Sequence, residues 1–304
     1  MGVAYAGPMK MQKETVGSSD AQTVATSVDK RVAAGGVLVY LGLIGLFSLP
    51  LYFLLNGTEL PVEQQPLLIT LLMWMPALAA LGARLIRREG FRDGGLSTLG
   101  RDVAGPIAVA LMLPVVVGVL SYGAAWSLGV ATFAAPQGSP GGVISLGGGI
   151  VRALLIGAPL GIIMVAGEEI GWRGYMSDRL RRAGVPFHGF VGGVIWASWH
   201  APLIVTGQYA GGPHPLLSVV GFAILAVALH LLWSNWKART GSLWPAILGH
   251  SAWNVVIQHP FDGHTIGNAA SIWVGDSGLL TSGMCLVVVF LLLGGRGRGA
   301  ASSV

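Results

Sequence analysis

Residues 149–173 read GIVRALLIGAPLGIIMVAGEEIGWR, and this stretch decides both the fold class and the place to look for chemistry. Up to Gly167 it contains one charged residue, Arg152, and it then ends in the pair Glu168-Glu169. An apolar helix of about 20 residues can cross the hydrocarbon core of a bilayer. An ionisable side chain inside such a helix costs about 2.5 to 3.5 kcal/mol, so its presence indicates function. The stretch therefore predicts a membrane-spanning helix that carries functional groups.

Similar apolar runs recur along the whole chain. Hydrophobic residues make up 53% of the sequence and charged residues 10%, whereas a soluble domain normally carries about 25% charge. The sequence predicts an all-α, polytopic membrane protein with about eight transmembrane helices. The predicted spans are 32–55, 66–86, 103–132, 149–172, 188–206, 215–234, 243–258 and 271–294.

The predicted spans divide the chain into four parts. Residues 1–31 are polar and small, and we expect a disordered cytoplasmic tail there. Residues 32–148 hold three N-terminal transmembrane helices, and residues 149–258 form a core with polar motifs inside its spans. Residues 259–304 hold the last transmembrane helix and a short basic tail.

Lysine and arginine lie in alternate loops. They precede the first span and follow the second, fourth, sixth and eighth, whereas loops 56–65, 133–148, 207–214 and 259–270 contain neither residue. Such asymmetry predicts that both termini are cytoplasmic, in a multi-pass protein of the plasma (inner) membrane. It also accounts for the net charge of +5. We therefore expect membrane lipid, and no nucleic acid, as a partner.

Three spans carry polar residues at helical spacing. Residues four apart share one face of a helix, so each span can direct its polar pair toward one interior point. The residues concerned are Glu168, Glu169 and Arg173 in the fourth span, Trp196 and His200 in the fifth, and His250 and Asn254 in the seventh.

The pattern Glu-Glu-x-x-x-Arg, aromatic-x-x-x-His and His-x-x-x-Asn resembles the CPBP (Abi) family of intramembrane proteases, which are related to the eukaryotic CAAX prenyl endopeptidase. The resemblance covers about residues 149–258. Trp196 departs from the family, which usually has Phe at this position. Both side chains are bulky aromatics, so the departure casts little doubt on His200.

The resemblance implies an endopeptidase that cuts a peptide bond near the cytoplasmic membrane face. Glu168 would activate a water with His200 assisting, and His250 and Asn254 would stabilise the oxyanion. Glu169, also assigned to the catalytic motif, would hold the motif in shape together with Arg173, with Trp196 in support. The implied partner is a peptide or membrane-protein substrate, lipidated proteins included.

Two chemical schemes stay open at this point. Two histidines and a glutamate, here Glu168, His200 and His250, are a credible zinc set with water in the fourth position. No His-Glu-x-x-His helix is present, which favours the scheme without metal. The remaining histidines, namely His188, His214, His230, His259 and His264, are assigned no role.

Four other functions compete with this interpretation. A non-catalytic membrane scaffold or bacteriocin self-immunity factor could share the fold, and a proton-coupled transporter could also place Glu and His inside its spans. A rhomboid-like enzyme requires a Ser nucleophile in Gly-x-Ser-Gly; this pattern occurs at Gly275-Asp276-Ser277-Gly278, apart from the three polar motifs. A presenilin-like aspartyl enzyme requires Gly-x-Gly-Asp and a second intramembrane Asp; Gly275-Asp276 lacks the first glycine, and no partner Asp is evident.

Overall fold

The computed structural model describes the backbone of residues 17–58, 60, 62–97 and 101–294, and the side chains in these ranges from residue 29 onward, except those of residues 63 and 101. Eleven α-helices lie in these ranges. They are α1 Gly17–Asn56, α2 Pro66–Arg87, α3 Ala104–Ser127, α4 Gly142–Arg152, α5 Ala158–Gly171, α6 Ser177–Arg182, α7 His188–Val205, α8 Pro215–Thr240, α9 Trp244–Val256, α10 Ala270–Trp273 and α11 Leu279–Gly294.

Shorter elements connect these helices. Single turns of 3₁₀ helix cover Val62–Gln64 and Arg101–Val103, and π-helical turns cover Ala153–Gly157, Trp172–Met176 and Ile257–Phe261. Two strands of two residues each, β1 Thr132–Phe133 and β2 Thr265–Ile266, pair antiparallel with Thr132 opposite Ile266. The prediction of a helical protein is confirmed, with this one small sheet as an exception.

Within the described part of the chain, five helical segments are long and apolar enough to cross a membrane. They are Asp29–Asn56, Pro66–Arg87, Ala104–Ser127, Gly142–Arg182 and Pro215–Thr240. The chain is thus a multi-pass membrane protein. Helices α7, α9 and α11 correspond to the other predicted spans, but they are shorter or interrupted by Gly, His, Ser and Trp. The number of eight and the orientation of the termini stay predictions.

Helix α1 begins earlier than the sequence predicted. Residues 17–31, expected to belong to a disordered tail, are helical. No Gly or Pro interrupts the chain between residues 18 and 34, so the first spanning helix can extend toward its N-terminus. Residues 1–16 and the basic tail at 295–304 lie outside the described residues.

Helix α5 packs closely on α2 because two glycines face that helix. A Cβ on Gly167 would overlap the backbone of Met73 and Trp74, and one on Gly171 would overlap Pro76. Small residues allow membrane helices to approach in this way. The two glycines flank Glu168 and Glu169, so this close approach fixes the position of both carboxylates.

We expect Gly171→Ala to lower the thermal stability of the detergent-solubilised protein. The added methyl group must displace the backbone at Pro76, and overpacking of this kind costs about 1–3 kcal/mol. The measurement is the midpoint of thermal unfolding by intrinsic fluorescence.

The matched control is Gly42→Ala in α1, where an added Cβ meets no atom within 4 Å. This variant should keep the wild-type midpoint or exceed it, since Ala favours the helix. Equal losses in both variants would show that the α2–α5 contact is not responsible.

An ion-pair network closes the arginine-rich end of the helices. Asp93, in the loop after α2, lies 2.7 Å from Arg84 Nη2 and 2.5 Å from Arg179 Nη1, and Arg179 Nη2 also lies 2.6 Å from Glu89. Burial alone would raise the pKa of Asp93, but the hydrogen bonds and charges of Arg84 and Arg179 outweigh it. The pKa of Asp93 is therefore held below its usual range.

The lowered pKa of Asp93 predicts a pH-dependent contribution to stability. A carboxyl group whose pKa is lower in the folded than in the unfolded state stabilises the fold above its unfolded pKa of about 3.9. The stabilisation disappears as the pH falls through the lower, folded pKa. We expect Asp93→Asn to lower the unfolding midpoint at pH 7, and we expect the difference from the wild type to shrink as the pH falls below the unfolded pKa of about 3.9. A difference that stays constant with pH would contradict this assignment.

Candidate active site

The three helices that carry the motifs lie side by side. Helix α5 packs on α9, and α7 contacts the π-helical turn Trp172–Met176 that follows α5. As a result Glu168, His200, His250 and Asn254 line one cavity of about 730 Å³. The other three predicted residues, Glu169, Arg173 and Trp196, lie buried outside the cavity lining.

Glu168 is the acidic residue of the motif that reaches the cavity. Its Oε2 accepts hydrogen bonds from the indole nitrogens of Trp196, at 2.8 Å, and Trp172, at 3.3 Å. The Nε2 atom of His200 lies 4.0 Å from the same oxygen. The two indoles fix the carboxylate in place, and the remaining lone pairs can accept a hydrogen bond from a molecule in the cavity.

The tautomer of His200 follows from its backbone partner. Its Nδ1 lies 3.0 Å from the carbonyl oxygen of Trp196, and because a carbonyl only accepts, Nδ1 must carry the proton. In the neutral ring Nε2 then has a free lone pair near Glu168. A water between them could donate one hydrogen to each residue.

Glu169 does not share this environment, although it is adjacent in sequence. Its Oε1 accepts hydrogen bonds from Arg173 Nη1 and from His250 Nδ1, each at 2.8 Å. The guanidinium of Arg173 also lies over the rings of Trp196, at 4.0 Å, and Trp233, at 4.9 Å. Glu169 and Arg173 are fully buried, so each supplies the charge that the other requires.

His250 links this buried ion pair to the cavity. Its Nδ1 must carry a proton, because its partner is a carboxylate oxygen, and the other side of the ring is available to the cavity. His250 can thus donate a hydrogen bond from Nε2 only when both nitrogens are protonated. Glu169 can compensate part of that positive charge.

We expect Arg173→Met to destabilise the protein by about 3–5 kcal/mol, because removing one partner leaves the buried Glu169 carboxylate without its counter-charge. The double variant Glu169→Gln/Arg173→Met should recover part of the loss. The measurement is thermal or denaturant unfolding in detergent.

The matched control is Arg181→Gln. The half-exposed side chain of Arg181 forms an ion pair with Asp178 at 2.7 Å. Pairs of this kind are worth about 0–1 kcal/mol. If Arg173→Met were as mild as this control, the buried pair would not have the structural role assigned to it.

The predicted zinc set does not fit the geometry of these residues. Within the described ranges, no group of three His, Cys, Asp or Glu residues is placed to hold a metal ion. His250 turns one nitrogen to Glu169, and the 4.0 Å between His200 and Glu168 leaves these two as a pair. We therefore derive no step that involves a metal.

The cavity extends from Glu168 away from the arginine-rich end. Its far wall is formed by Tyr209–Gly211, after α7, and by residues between 262 and 277. Under the positive-inside orientation these segments lie on the outer side, since loops 207–214 and 259–270 contain no Lys or Arg. The resemblance implied a cleaved bond near the cytoplasmic membrane face, whereas under this orientation the cavity extends from Glu168 toward the outer side. Glu168 itself lies at the end of the cavity nearest the arginine-rich end, five residues before Arg173.

Sequence analysis missed several residues of this cavity. Asp262, Asp276 and Tyr209 line it, and so does His259, which had been assigned no role. Asp276 was considered only against the aspartyl-enzyme motif. No sequence signal could have placed it here, because it lies in an irregular segment after α10 whose path depends on tertiary packing.

The comparison with known families agrees with the motifs. Residues 150–256 match the family model described as type II CAAX prenyl endopeptidase Rce1-like. The resemblance to the CPBP/CAAX protease family is confirmed. No curated protein matches the chain.

Proposed function

We propose that this chain, whose residues 150–256 match the family model of a type II CAAX prenyl endopeptidase, is an intramembrane endopeptidase in which Glu168 activates a water for attack on a peptide bond. The observation that carries the proposal is the pairing of Glu168 and His200 in one cavity. Both present acceptor atoms, 4.0 Å apart, toward the same space. A water held by two acceptors has its oxygen lone pair directed at whatever occupies the cavity.

The proposed reaction proceeds without a covalent enzyme intermediate. Glu168 takes a proton from the water while the water oxygen bonds to the carbonyl carbon, which gives a tetrahedral oxyanion. The carbon–nitrogen bond then breaks, and the same proton passes to the leaving amine. His200 assists by accepting a hydrogen bond from the attacking water.

The oxyanion would be stabilised by His250 and Asn254. Donors in fixed positions at a water-poor site stabilise a developing negative charge strongly. Asn254 lies one helical turn after His250 on α9, so both side chains reach the cavity from the same face. His250 Nδ1 stays bonded to Glu169, which fixes the orientation of the ring toward the cavity.

The other walls of the cavity favour an apolar substrate. The lining includes apolar side chains of α2 and α7, namely Ile69, Leu72, Met73 and Leu203. Such a wall suits the apolar side chains of a membrane-embedded peptide or a lipid attached to it. We propose a peptide or membrane-protein substrate, lipidated CAAX proteins included, and a location in the plasma (inner) membrane with both termini cytoplasmic.

We expect the detergent-purified protein to cleave a fluorogenic farnesylated CAAX peptide. Glu168→Ala and His200→Ala should each reduce kcat by at least about a hundredfold, because loss of a general base typically costs that much. The matched control is His214→Ala, at an exposed position just before α8. It should retain wild-type activity.

Two results would contradict the proposal. Cleavage that survives in Glu168→Ala would exclude this residue as the base. If the wild type cleaves neither this peptide nor synthetic peptides that carry membrane-protein sequences, the non-catalytic scaffold is favoured. A zinc chelator in parallel reactions tests metal dependence, and the account without metal expects no loss of activity.

A further inference from the structure

The cavity has a strongly acidic lining. Three carboxylates line it, those of Glu168, Asp262 and Asp276, and none of its described lining residues is Lys or Arg. The ion pairs described above lie outside it. A cavity lined by acidic side chains and surrounded by low-dielectric protein concentrates the electric field, and it therefore favours a positively charged ligand.

Asp276 is held in a fixed orientation within this lining. Trp253 Nε1 donates to its Oδ1 at 2.9 Å, while Tyr209 Oη and Gln258 Nε2 donate to its Oδ2 at 2.8 and 2.7 Å. The three donors come from three separate parts of the chain. Both oxygens of a nearly buried carboxylate are thus kept as acceptors at the cavity wall.

Asp262 lies close to Asp276. A Cβ on Gly275 would lie 3.8 Å from Asp262 Oδ1, and Gly275 adopts a φ of +89° that only glycine tolerates easily. The Tyr122 hydroxyl donates a hydrogen bond to the same Oδ1 atom of Asp262. Two acidic side chains therefore lie in the same part of the cavity, and no described ion pair includes either of them. Burial, together with the charge of Asp276, raises the pKa of Asp262 to about 7, so Asp276 is the principal anion of the proposed site.

Ser277 adds a separate indication of a ligand. Its side chain is 5% exposed and lines the cavity, yet its Oγ finds no hydrogen-bond partner in the described part of the chain. Buried polar groups are nearly always hydrogen-bonded, so such a group suggests a missing partner. A donor bound to Asp276 could also bond to this hydroxyl.

We propose that Asp276, with Asp262 and Ser277, binds the positively charged side chain of a lysine or arginine in the substrate. A buried charge is normally paired, and the described lining contains no Lys or Arg to pair with Asp276. A lysine ammonium or arginine guanidinium brings the charge and several N–H donors at once. This inference rests on the proposed function for the identity of the ligand as a substrate peptide.

The distance from the reacting groups fits a residue near the scissile bond. Tyr209 connects the two regions, because its ring lies 5.7 Å from the ring of His200 and its hydroxyl donates to Asp276. An extended peptide covers about 3.3–3.6 Å per residue. A basic residue a few positions from the cleaved bond would therefore reach Asp276.

The test compares two synthetic peptides, acetyl-Leu-Leu-Lys-Leu-Leu-amide and the same peptide with norleucine in place of Lys. Their Kd values are measured on the detergent-purified full chain. We expect the ratio of the two Kd values to favour the Lys peptide by about tenfold more in the wild type than in Asp276→Asn. Partition into detergent affects both proteins equally and cancels in this comparison.

The matched control is Asp102→Asn, an exposed aspartate outside the cavity, which should keep the wild-type ratio. Asp262→Asn provides a second cavity variant if Asp276→Asn loses the wild-type unfolding midpoint. An unchanged ratio in the folded cavity variants would overturn the proposal. So would equal binding of the two peptides by the wild type, or no binding of either.

Cleavage of both peptides is followed in parallel, which separates this inference from the proposed function. Selective binding of the Lys peptide without cleavage would support the cation site and count against the endopeptidase. Cleavage of both peptides at equal kcat/KM would support the endopeptidase and count against the cation site.

Discussion

The arrangement of the site depends on one buried ion pair, between Glu169 and Arg173. Both side chains are fully buried, and they are joined at 2.8 Å one turn apart on the same helix. A carboxylate in this environment would be very unfavourable by itself. Because Arg173 neutralises Glu169, the second carboxylate of the pair, Glu168, can face the cavity while its neighbour faces the protein interior. The two adjacent glutamates are thereby given different roles.

The rest of the motif organises around this pair. Glu169 binds His250 as well as Arg173, so α9 is connected to α5 by a hydrogen bond between side chains. Trp196 of α7 stacks against the guanidinium and donates to Glu168, which connects the third helix to the same point. Arg173 lies in a π-helical turn, an irregularity often found at functional sites. Glycines on the opposite face allow α2 to approach, and the cavity opens between these helices.

The sequence predicted the parts of this structure that depend on local pattern. Apolar runs located the helices, and the four-residue spacing of His250 and Asn254 brought both to one cavity. The other two pairs divide, because Glu169, Arg173 and Trp196 lie outside the cavity lining while Glu168 and His200 reach it. The predicted start of the first helix was wrong. Residues 17–31 are polar, which predicted disorder, but no Gly or Pro after Gly17 prevents them from extending helix α1. The roles of Trp172 and Trp233 could not be predicted, since their contacts join residues distant in sequence. The same holds for Asp262 and Asp276, which meet only because the chain returns to the cavity after α9. The direction of the cavity, too, depends on how the loops pack.

The division of roles between the two glutamates is tested most directly by a matched pair of isosteric variants, Glu168→Gln and Glu169→Gln. Each is assayed for peptide cleavage and for its thermal unfolding midpoint. The account predicts that Glu168→Gln loses cleavage and keeps the wild-type midpoint. Glu169→Gln should lower the midpoint, because Arg173 is left as a buried charge without its counter-ion. Full cleavage by Glu168→Gln, or a Glu169→Gln variant as stable as the wild type, would contradict the account.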